Sequence, residues 1–205
     1  MRAWGMFLAP LRVHISQACT ATVFCAAAVS PVQASDCPAA PNHSGPLGAL
    51  ISEVQKAETE TQAREIGNRM WEYWADAPNA QAQAILDRGM SKRSVFDFLG
   101  ALAAFDQLID YCPDYAEGYN QRAFVHYLRR DFAAALADLD RALALSPRHI
   151  AALSGRALSL YGLSRLEEAR QALSEALKLN PWLPERFLAD PGGPLAPPGA
   201  GDTEL

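Results

Sequence analysis

The fold is decided by two consecutive stretches of equal length, AEGYNQRAFVHYLRRDFAAALADLDRALALSPRH at 116–149 and IAALSGRALSLYGLSRLEEARQALSEALKLNPWL at 150–183. Aligned without a gap, they share alanine at the eighth and twentieth positions and leucine at the twenty-fourth. Pro113, Pro147 and Pro181 are separated by the same interval, and each follows an amphipathic stretch. A fixed period of about 34 residues indicates a repeat architecture in which each unit packs on the next.

The same period continues upstream through residues 82–115 in a weaker form. Gly89, Ala101 and Phe105 stand at the eighth, twentieth and twenty-fourth positions of that stretch. Small residues therefore recur where two helices must touch, and large ones recur where a core must be filled. We call residues 82–115, 116–149 and 150–183 repeats 1, 2 and 3, and we expect repeat 1 to be degenerate.

This order of small residue, alanine, bulky residue and proline resembles the tetratricopeptide repeat. That family is built from pairs of antiparallel helices that stack into a right-handed superhelix. The resemblance covers residues 82–183 and implies an all-α fold in which the first helix of each pair lines a concave groove. The composition agrees, because 50% of the 205 residues are hydrophobic and alanine is abundant while strand-forming residues are sparse.

The segments around the repeats lack the period. Residues 46–81 have the pattern of a divergent helix pair, with Met70, Trp71 and Trp74 on one helical face. The two tryptophans are expected to pack in the core, although a ligand platform is the alternative. We predict a flexible segment at 35–45, a short cap at 184–190 and a disordered, Pro- and Gly-rich tail at 191–205.

The N-terminal segment 1–34 has the features of an export signal. Arg2 and Arg12 precede an uncharged stretch at 15–29, and small residues at positions 32 and 34 suit a signal peptidase. The stretch is shorter than the roughly 20 residues that cross a bilayer. We therefore expect cleavage after Ala34, a mature chain without a membrane span, and a periplasmic location as an exported bacterial protein. A retained N-terminal anchor is the alternative.

Two cysteines remain after such cleavage, Cys37 and Cys112. An oxidising compartment would permit them to pair, and a loop of about 75 residues could then contribute about 4 kcal/mol by the chain-entropy estimate. Two free thiols are the alternative, and the residues alone leave the choice open.

The resemblance also implies which side chains face the groove. The second, fifth, ninth, twelfth and thirteenth positions of each first helix do so in tetratricopeptide proteins. An amide beside aromatic and aliphatic faces suits an extended or helical peptide of an unknown partner protein. The candidate groove residues are Asn120, Phe124, Tyr127, Ser154, Leu158 and Tyr161. The lysine and asparagine clamp that some relatives use for acidic C-termini is missing from these positions.

Arginine stands at the seventh position of every repeat, where the family usually has leucine: Arg88, Arg122 and Arg156. A partly buried guanidinium needs a carboxylate nearby. Asp106 and Asp140 stand at the twenty-fifth positions of repeats 1 and 2, so each precedes the arginine of the next repeat by the same interval. We therefore predict inter-repeat ion pairs Arg122–Asp106 and Arg156–Asp140, with the nearby Asp138 as another possible partner. A row of anion-binding arginines is the competing interpretation.

The sequence shows no sign of catalysis. The histidines at 43, 126 and 149 lack metal-ligand spacing, and no phosphate loop or activated nucleophile is present, so we expect no cofactor, no metal and no enzyme activity. A net charge of -5 does not favour nucleic acid. The sequence predicts a non-catalytic adaptor or scaffold of the cell envelope that binds a protein or peptide. The alternative is a structural subunit or homo-oligomer whose groove is permanently occupied.

Overall fold

The computed structural model describes residues 37–197, which form eight α-helices and one 3₁₀ helix. The helices are α1 (Ser44–Val54), α2 (Glu60–Trp74), α3 (Ala80–Ser94), α4 (Phe98–Tyr111), α5 (Ala116–Leu128), α6 (Phe132–Leu145), α7 (Ile150–Gly162), α8 (Leu166–Leu179) and the 3₁₀ helix Pro184–Ala189. No strand occurs among the described residues. None of the helices within 37–197 is long and apolar enough to cross a membrane. The export signal predicted at 1–34 lies outside the described residues.

The three repeats fold as helical hairpins, α3–α4, α5–α6 and α7–α8, and these hairpins stack in sequence order. Helix α4 packs on α5 and α6 packs on α7, while α5 also contacts α3 and α7. The first helices of the repeats therefore form an inner row and the second helices an outer row. This arrangement confirms the predicted all-α fold of stacked helix pairs.

The turns inside the three hairpins share one backbone conformation. Phe96, Arg130 and Ser164, which occupy equivalent positions in the three repeats, all have a positive φ near 60°. This left-handed residue ends the first helix of each pair and redirects the chain into the second. In repeats 1 and 2 an aspartate then caps the second helix, with Asp97 accepting from the N–H of residue 100 and Asp131 from that of residue 134.

The N-terminal hairpin α1–α2 packs against the beginning and the end of repeat 3. Its apolar face, which includes Ile51 and Met70, shares a core cluster with Ile150 and Trp182. Beside this cluster, the side-chain amide of Gln55 donates to the Lys178 carbonyl at 2.7 Å. The predicted helix pair is present, and its apolar face covers the last repeat.

The segments predicted to be flexible are better ordered than their composition suggests. At the N-terminal side, residues 37–43 are fixed by Cys37 and by a 2.7 Å contact between His43 and Asp76. The prediction of a disordered tail is wrong for residues 191–197, because Leu195 is fully buried beside Leu188 against α8. The Leu195 N–H also donates to the Leu188 carbonyl at 2.7 Å. Residues 198–205 lie outside the description.

Candidate functional site

An apolar cleft of about 460 Å³ opens on the inner helices of repeats 2 and 3. Helices α5 and α7 form most of its wall. Trp71 of α2, Arg93 of α3 and the segment 183–185 border it as well. The cleft thus combines residues from all three repeats, the N-terminal hairpin and the C-terminal 3₁₀ helix.

Five of the six predicted groove residues line this cleft: Asn120, Phe124, Tyr127, Ser154 and Leu158. They lie together because α5 and α7 are equivalent helices of adjacent repeats and present the same positions to the same side. Tyr161, near the end of α7, is not part of the cleft wall, although its side chain is exposed.

The aromatic residues of the cleft differ in their surroundings. Phe124 keeps 45% of its surface exposed, and the guanidinium of Arg93 lies over its ring at 4.8 Å. Tyr127 is half-buried and its ring contacts that of Phe132 at 5.7 Å. Phe124 is therefore available to a ligand, whereas Tyr127 also supports the core of repeat 2.

Asn120 has a different environment from the one that the sequence suggested. It is buried, and its amide nitrogen donates to the Glu117 carboxylate at 3.1 Å. Because the side chain is buried and its amide nitrogen is already bonded to Glu117, Asn120 is less suited to holding a partner's backbone than the sequence suggested. Asn120 consequently holds Glu117 in place, and the exposed wall of the cleft is mainly apolar.

Glu117 is the centre of a buried polar network that sequence reasoning missed. Its side chain is 1% exposed and accepts hydrogen bonds from Asn120, Gln121 and His149, the last at 2.8 Å. The Nδ1 atom of His149 accepts from the Ala152 N–H at 3.3 Å, so the proton of the neutral ring is on Nε2, which donates to Glu117. Three donors satisfy this buried carboxylate.

Arg93 connects the network to the cleft. Its guanidinium donates to the side-chain oxygen of Gln121, and the side-chain nitrogen of Gln121 donates to Glu117. Burial lowers the pKa of Arg93, and the negative charge of Glu117 opposes that shift.

On the opposite side of the network, the Trp74 ring stacks on His149 with 4.5 Å between the ring centroids, beside a second cavity of about 430 Å³ beneath residues 40–44. The two tryptophans therefore have different surroundings: Trp74 stacks on His149 of the buried network, whereas Trp71 lines the cleft.

The structure also shows where the remaining predicted residues lie. The guanidinium of Arg122 contacts the carboxylates of Asp106 at 2.7 Å and Asp138 at 2.6 Å. Both hydrogen bonds raise the pKa of Arg122, and the bond to Asp138 has the larger effect. Arg156 contacts Asp140 at 2.8 Å. Because these guanidinium groups already face carboxylates of the chain, an anion-binding row has little support.

Cys37 and Cys112 form a disulfide with Cα atoms 5.1 Å apart. The bond joins the segment before α1 to the end of α4. Within residues 37–197, no group of three histidine, cysteine, aspartate or glutamate side chains is placed to hold a metal ion.

The fold and the cleft together define a helical-repeat protein with an open, ligand-sized groove on its inner face. A family model described as Tetratricopeptide repeat matches residues 116–149. The chain is 31% identical over 175 residues to Tetratricopeptide repeat protein 36 of Bos taurus, with 77% of this chain and 90% of that protein covered. The chain therefore belongs to the tetratricopeptide repeat family.

Two other similarities extend this comparison. A TPR repeat-containing protein of Rhizobium etli is 28% identical over 148 residues, covering 69% of this chain and 64% of that protein. The chain thus spans less than two thirds of the length of that bacterial relative. The Arabidopsis OM64 TPR domain matches with a TM-score of 0.52 at 20% identity, covering 53% of this chain and 90% of that domain, and it shares the fold.

Proposed function

We propose that this chain is a non-catalytic interaction adaptor that binds a peptide segment of a partner protein in the cleft between α5 and α7. The observation that carries the proposal is the exposed Phe124 ring in an apolar cleft built by equivalent helices of repeats 2 and 3. Repeat proteins of this kind use their concave surfaces for binding. An exposed aromatic ring in a concave apolar site offers the partner a buried anchor.

The adaptor is proposed to act in the cell envelope of a Gram-negative bacterium, after export and cleavage following Ala34. Two features support this location: the sequence pattern of residues 1–34 and the disulfide between Cys37 and Cys112. Intact mass of protein recovered from the periplasmic fraction tests the proposal. Cleavage at this site gives a chain that begins at Ser35, and a mass for the uncleaved chain contradicts it.

A steric block of the cleft tests the binding function without removing any core side chain. Ala151 is exposed, lines the cleft and is the second residue of α7. Ala133 is exposed at the second position of the outer helix α6 and does not line the cleft. Ala133→Trp is therefore the matched control for Ala151→Trp.

The probe is a library of random dodecapeptides displayed on phage and selected against the full chain. Individual selected peptides are then measured by fluorescence polarisation. We expect Ala151→Trp and Phe124→Ala to abolish or strongly weaken binding, while Ala133→Trp leaves it unchanged. Selection of no peptide above background, or peptides that are insensitive to Ala151→Trp, contradicts the proposed function.

A structural subunit is a second candidate function, favoured by one surface. Val95, Phe96 and Leu99 at the turn of repeat 1 are 69%, 78% and 72% exposed. An exposed apolar patch of this kind is typical of contact surfaces in assemblies. Light scattering over a range of concentrations separates the two functions, because an adaptor is expected to stay monomeric. A stable oligomer that dissociates on Phe96→Ser with Leu99→Ser favours the subunit.

A further inference from the structure

Two charged residues that border the cleft lack an oppositely charged partner among residues 37–197. They are Arg93, at the end of α3 in repeat 1, and Glu185, in the 3₁₀ helix that follows repeat 3. Neither forms an ion pair with another described residue, whereas Arg122 and Arg156 of the inner helices do. Charges without a direct ion-pair partner at the edge of an apolar cleft are suited to complementary charges on a ligand.

Glu185 provides the stronger of the two observations. Its Oε2 atom is buried and has no hydrogen-bond partner within the described part of the chain. The neighbouring Arg186 does not neutralise it, because Arg186 contacts Glu60 and the carbonyls of residues 182 and 183. Buried carboxylate oxygens are nearly always hydrogen-bonded, so the Glu185 carboxylate, which borders the cleft, retains the capacity to accept a further hydrogen bond.

The surroundings of Glu185 suit a cationic side chain. Trp71 lines the same cleft, and the face of an indole ring attracts ammonium and guanidinium groups. A carboxylate and an aromatic ring that border one cleft can together bind a lysine or arginine, whose aliphatic stem then covers apolar wall such as Leu158.

Arg93 supplies the opposite charge. Its guanidinium is positioned by Gln121 and by the Phe124 ring. The nearest acid of the network, Glu117, already accepts hydrogen bonds from Asn120, Gln121 and His149. The guanidinium donates to Gln121, and its remaining N–H groups are suited to a carboxylate that enters the cleft.

We propose that the cleft selects a peptide segment with an ordered pair of charges, a lysine or arginine against Glu185 and Trp71 and an acidic side chain against Arg93, with apolar residues between them. This inference rests on the proposed binding function and adds the chemistry of the partner. The two charges come from opposite ends of the row of repeats, so they also set the direction in which the segment lies.

The phage-displayed dodecapeptide library tests this charge order directly. Selection against the wild-type chain is expected to enrich one basic and one acidic position at a fixed spacing. Glu185→Gln is expected to remove the basic preference alone, and Arg93→Gln the acidic preference alone. The exposed residues Glu72 and Arg64 provide matched controls, Glu72→Gln and Arg64→Gln, which are expected to retain both preferences.

A measurement on the peptide avoids dependence on the folding of any variant. In a selected peptide, replacing the basic residue by norleucine is expected to weaken binding to the wild-type chain by about tenfold, as for loss of one close charge pair. The same replacement should have little effect on binding to the Glu185→Gln chain.

The outcomes separate this inference from the proposed function. Selected peptides that are blocked by Ala151→Trp but show no charge preference contradict the charge order and leave the binding function intact. Charge preferences that persist in both Glu185→Gln and Arg93→Gln also contradict it. If no peptide binds the cleft, the proposed function and this inference both fail.

Discussion

Repeat 1 and the two repeats that follow it fill equivalent positions with different side chains. In repeat 1, a Cβ atom added to Gly89 would lie 2.3 Å from the Phe105 ring. The same positions in repeats 2 and 3 pair alanine with leucine, as Ala123 with Leu139 and as residues 157 and 173. The missing methyl group of Gly89 makes room for the larger ring. The repeats therefore keep the combined side-chain volume of the two contacting positions similar, although the residues at those positions differ.

The charged junctions differ in a similar way. Arg122 bonds both Asp106 and the largely buried Asp138, whereas within residues 37–197 Arg156 bonds a single carboxylate, that of the exposed Asp140. The position in repeat 3 that corresponds to Asp138 is Ala172, a buried alanine. The ion pairs of Arg122 are therefore expected to stabilise the fold more than that of Arg156, because burial and the number of partners set the energy of an ion pair.

The disulfide gives repeat 1 a constraint that the other repeats do not share, and its removal should have the largest effect. The residues equivalent to Cys112 are Ser146 and Asn180. Replacing Cys37 and Cys112 by serine is expected to lower the free energy of unfolding by as much as about 4 kcal/mol, because the unfolded chain gains a loop's conformational freedom. Urea unfolding measures this loss.

A reducing agent provides the control for that variant. It should shift the unfolding midpoint of the wild-type chain and leave the serine variant unchanged. Equal midpoints for the wild type and the variant would show that the bond contributes nothing to stability.

Exchanging the contact pair of repeat 1 for that of repeats 2 and 3 tests the volume rule. Gly89→Ala alone is expected to cost about 2 kcal/mol, because the added methyl group overlaps a fully buried ring. Adding Phe105→Leu should recover part of this loss. Urea unfolding of both single variants and the double variant gives the coupling energy.

Additive effects in that cycle would contradict the rule. The expected sign is that the two substitutions together cost less than the sum of the single costs, since leucine beside alanine is the arrangement already present in repeats 2 and 3.

Removing one carboxylate from each junction tests the contrast between Arg122 and Arg156. Asp138→Ala is expected to destabilise the chain by about 1.5 kcal/mol, less than for a fully buried pair, because Arg122 is partly exposed and keeps Asp106. Asp140→Ala should cost less than about 1 kcal/mol, the range of exposed pairs. Thermal unfolding of both variants checks the order, and equal losses would refute the role of burial.

The stacked helices could be predicted from the sequence, whereas the position of the N-terminal hairpin could not. The repeat period records contacts that each repeat makes with its immediate neighbours. The hydrogen bond from Gln55, which follows α1, to the Lys178 carbonyl of α8 belongs to no period. Likewise, Pro and Gly in the tail predict disorder, and only the fold shows that Leu188 and Leu195 have a surface to cover.

The candidate site could likewise be predicted in part from the sequence. The resemblance to the tetratricopeptide repeat identified which face of α5 and α7 forms the cleft wall, since spacing groups positions on one helical face without saying which face lines a groove. Arg93 stood in the same register in repeat 1. The pairing of Glu117 with His149 was not visible, because the second position of a repeat gives the same signal whether its side chain enters the groove or the interior. Glu185 lies outside the repeat period, so its position beside the cleft follows from the three-dimensional fold and not from the sequence pattern.

The smallest expected effect concerns the turn that the three repeats share. Phe96 has a φ of 62°, as do the equivalent turn residues Arg130 and, within a few degrees, Ser164, yet a bulky side chain is unfavourable in this left-handed conformation. Phe96→Gly should raise the free energy of unfolding by about 0.5–1 kcal/mol, after allowing for the greater freedom of glycine in the unfolded chain. Val95→Gly, one residue earlier at a φ of -101°, should instead be destabilising. A loss of stability in Phe96→Gly would mean that the contact of its ring with Phe98, at 6.0 Å, outweighs the backbone strain, and that repeat 1 has compensated for its turn as it has for Gly89.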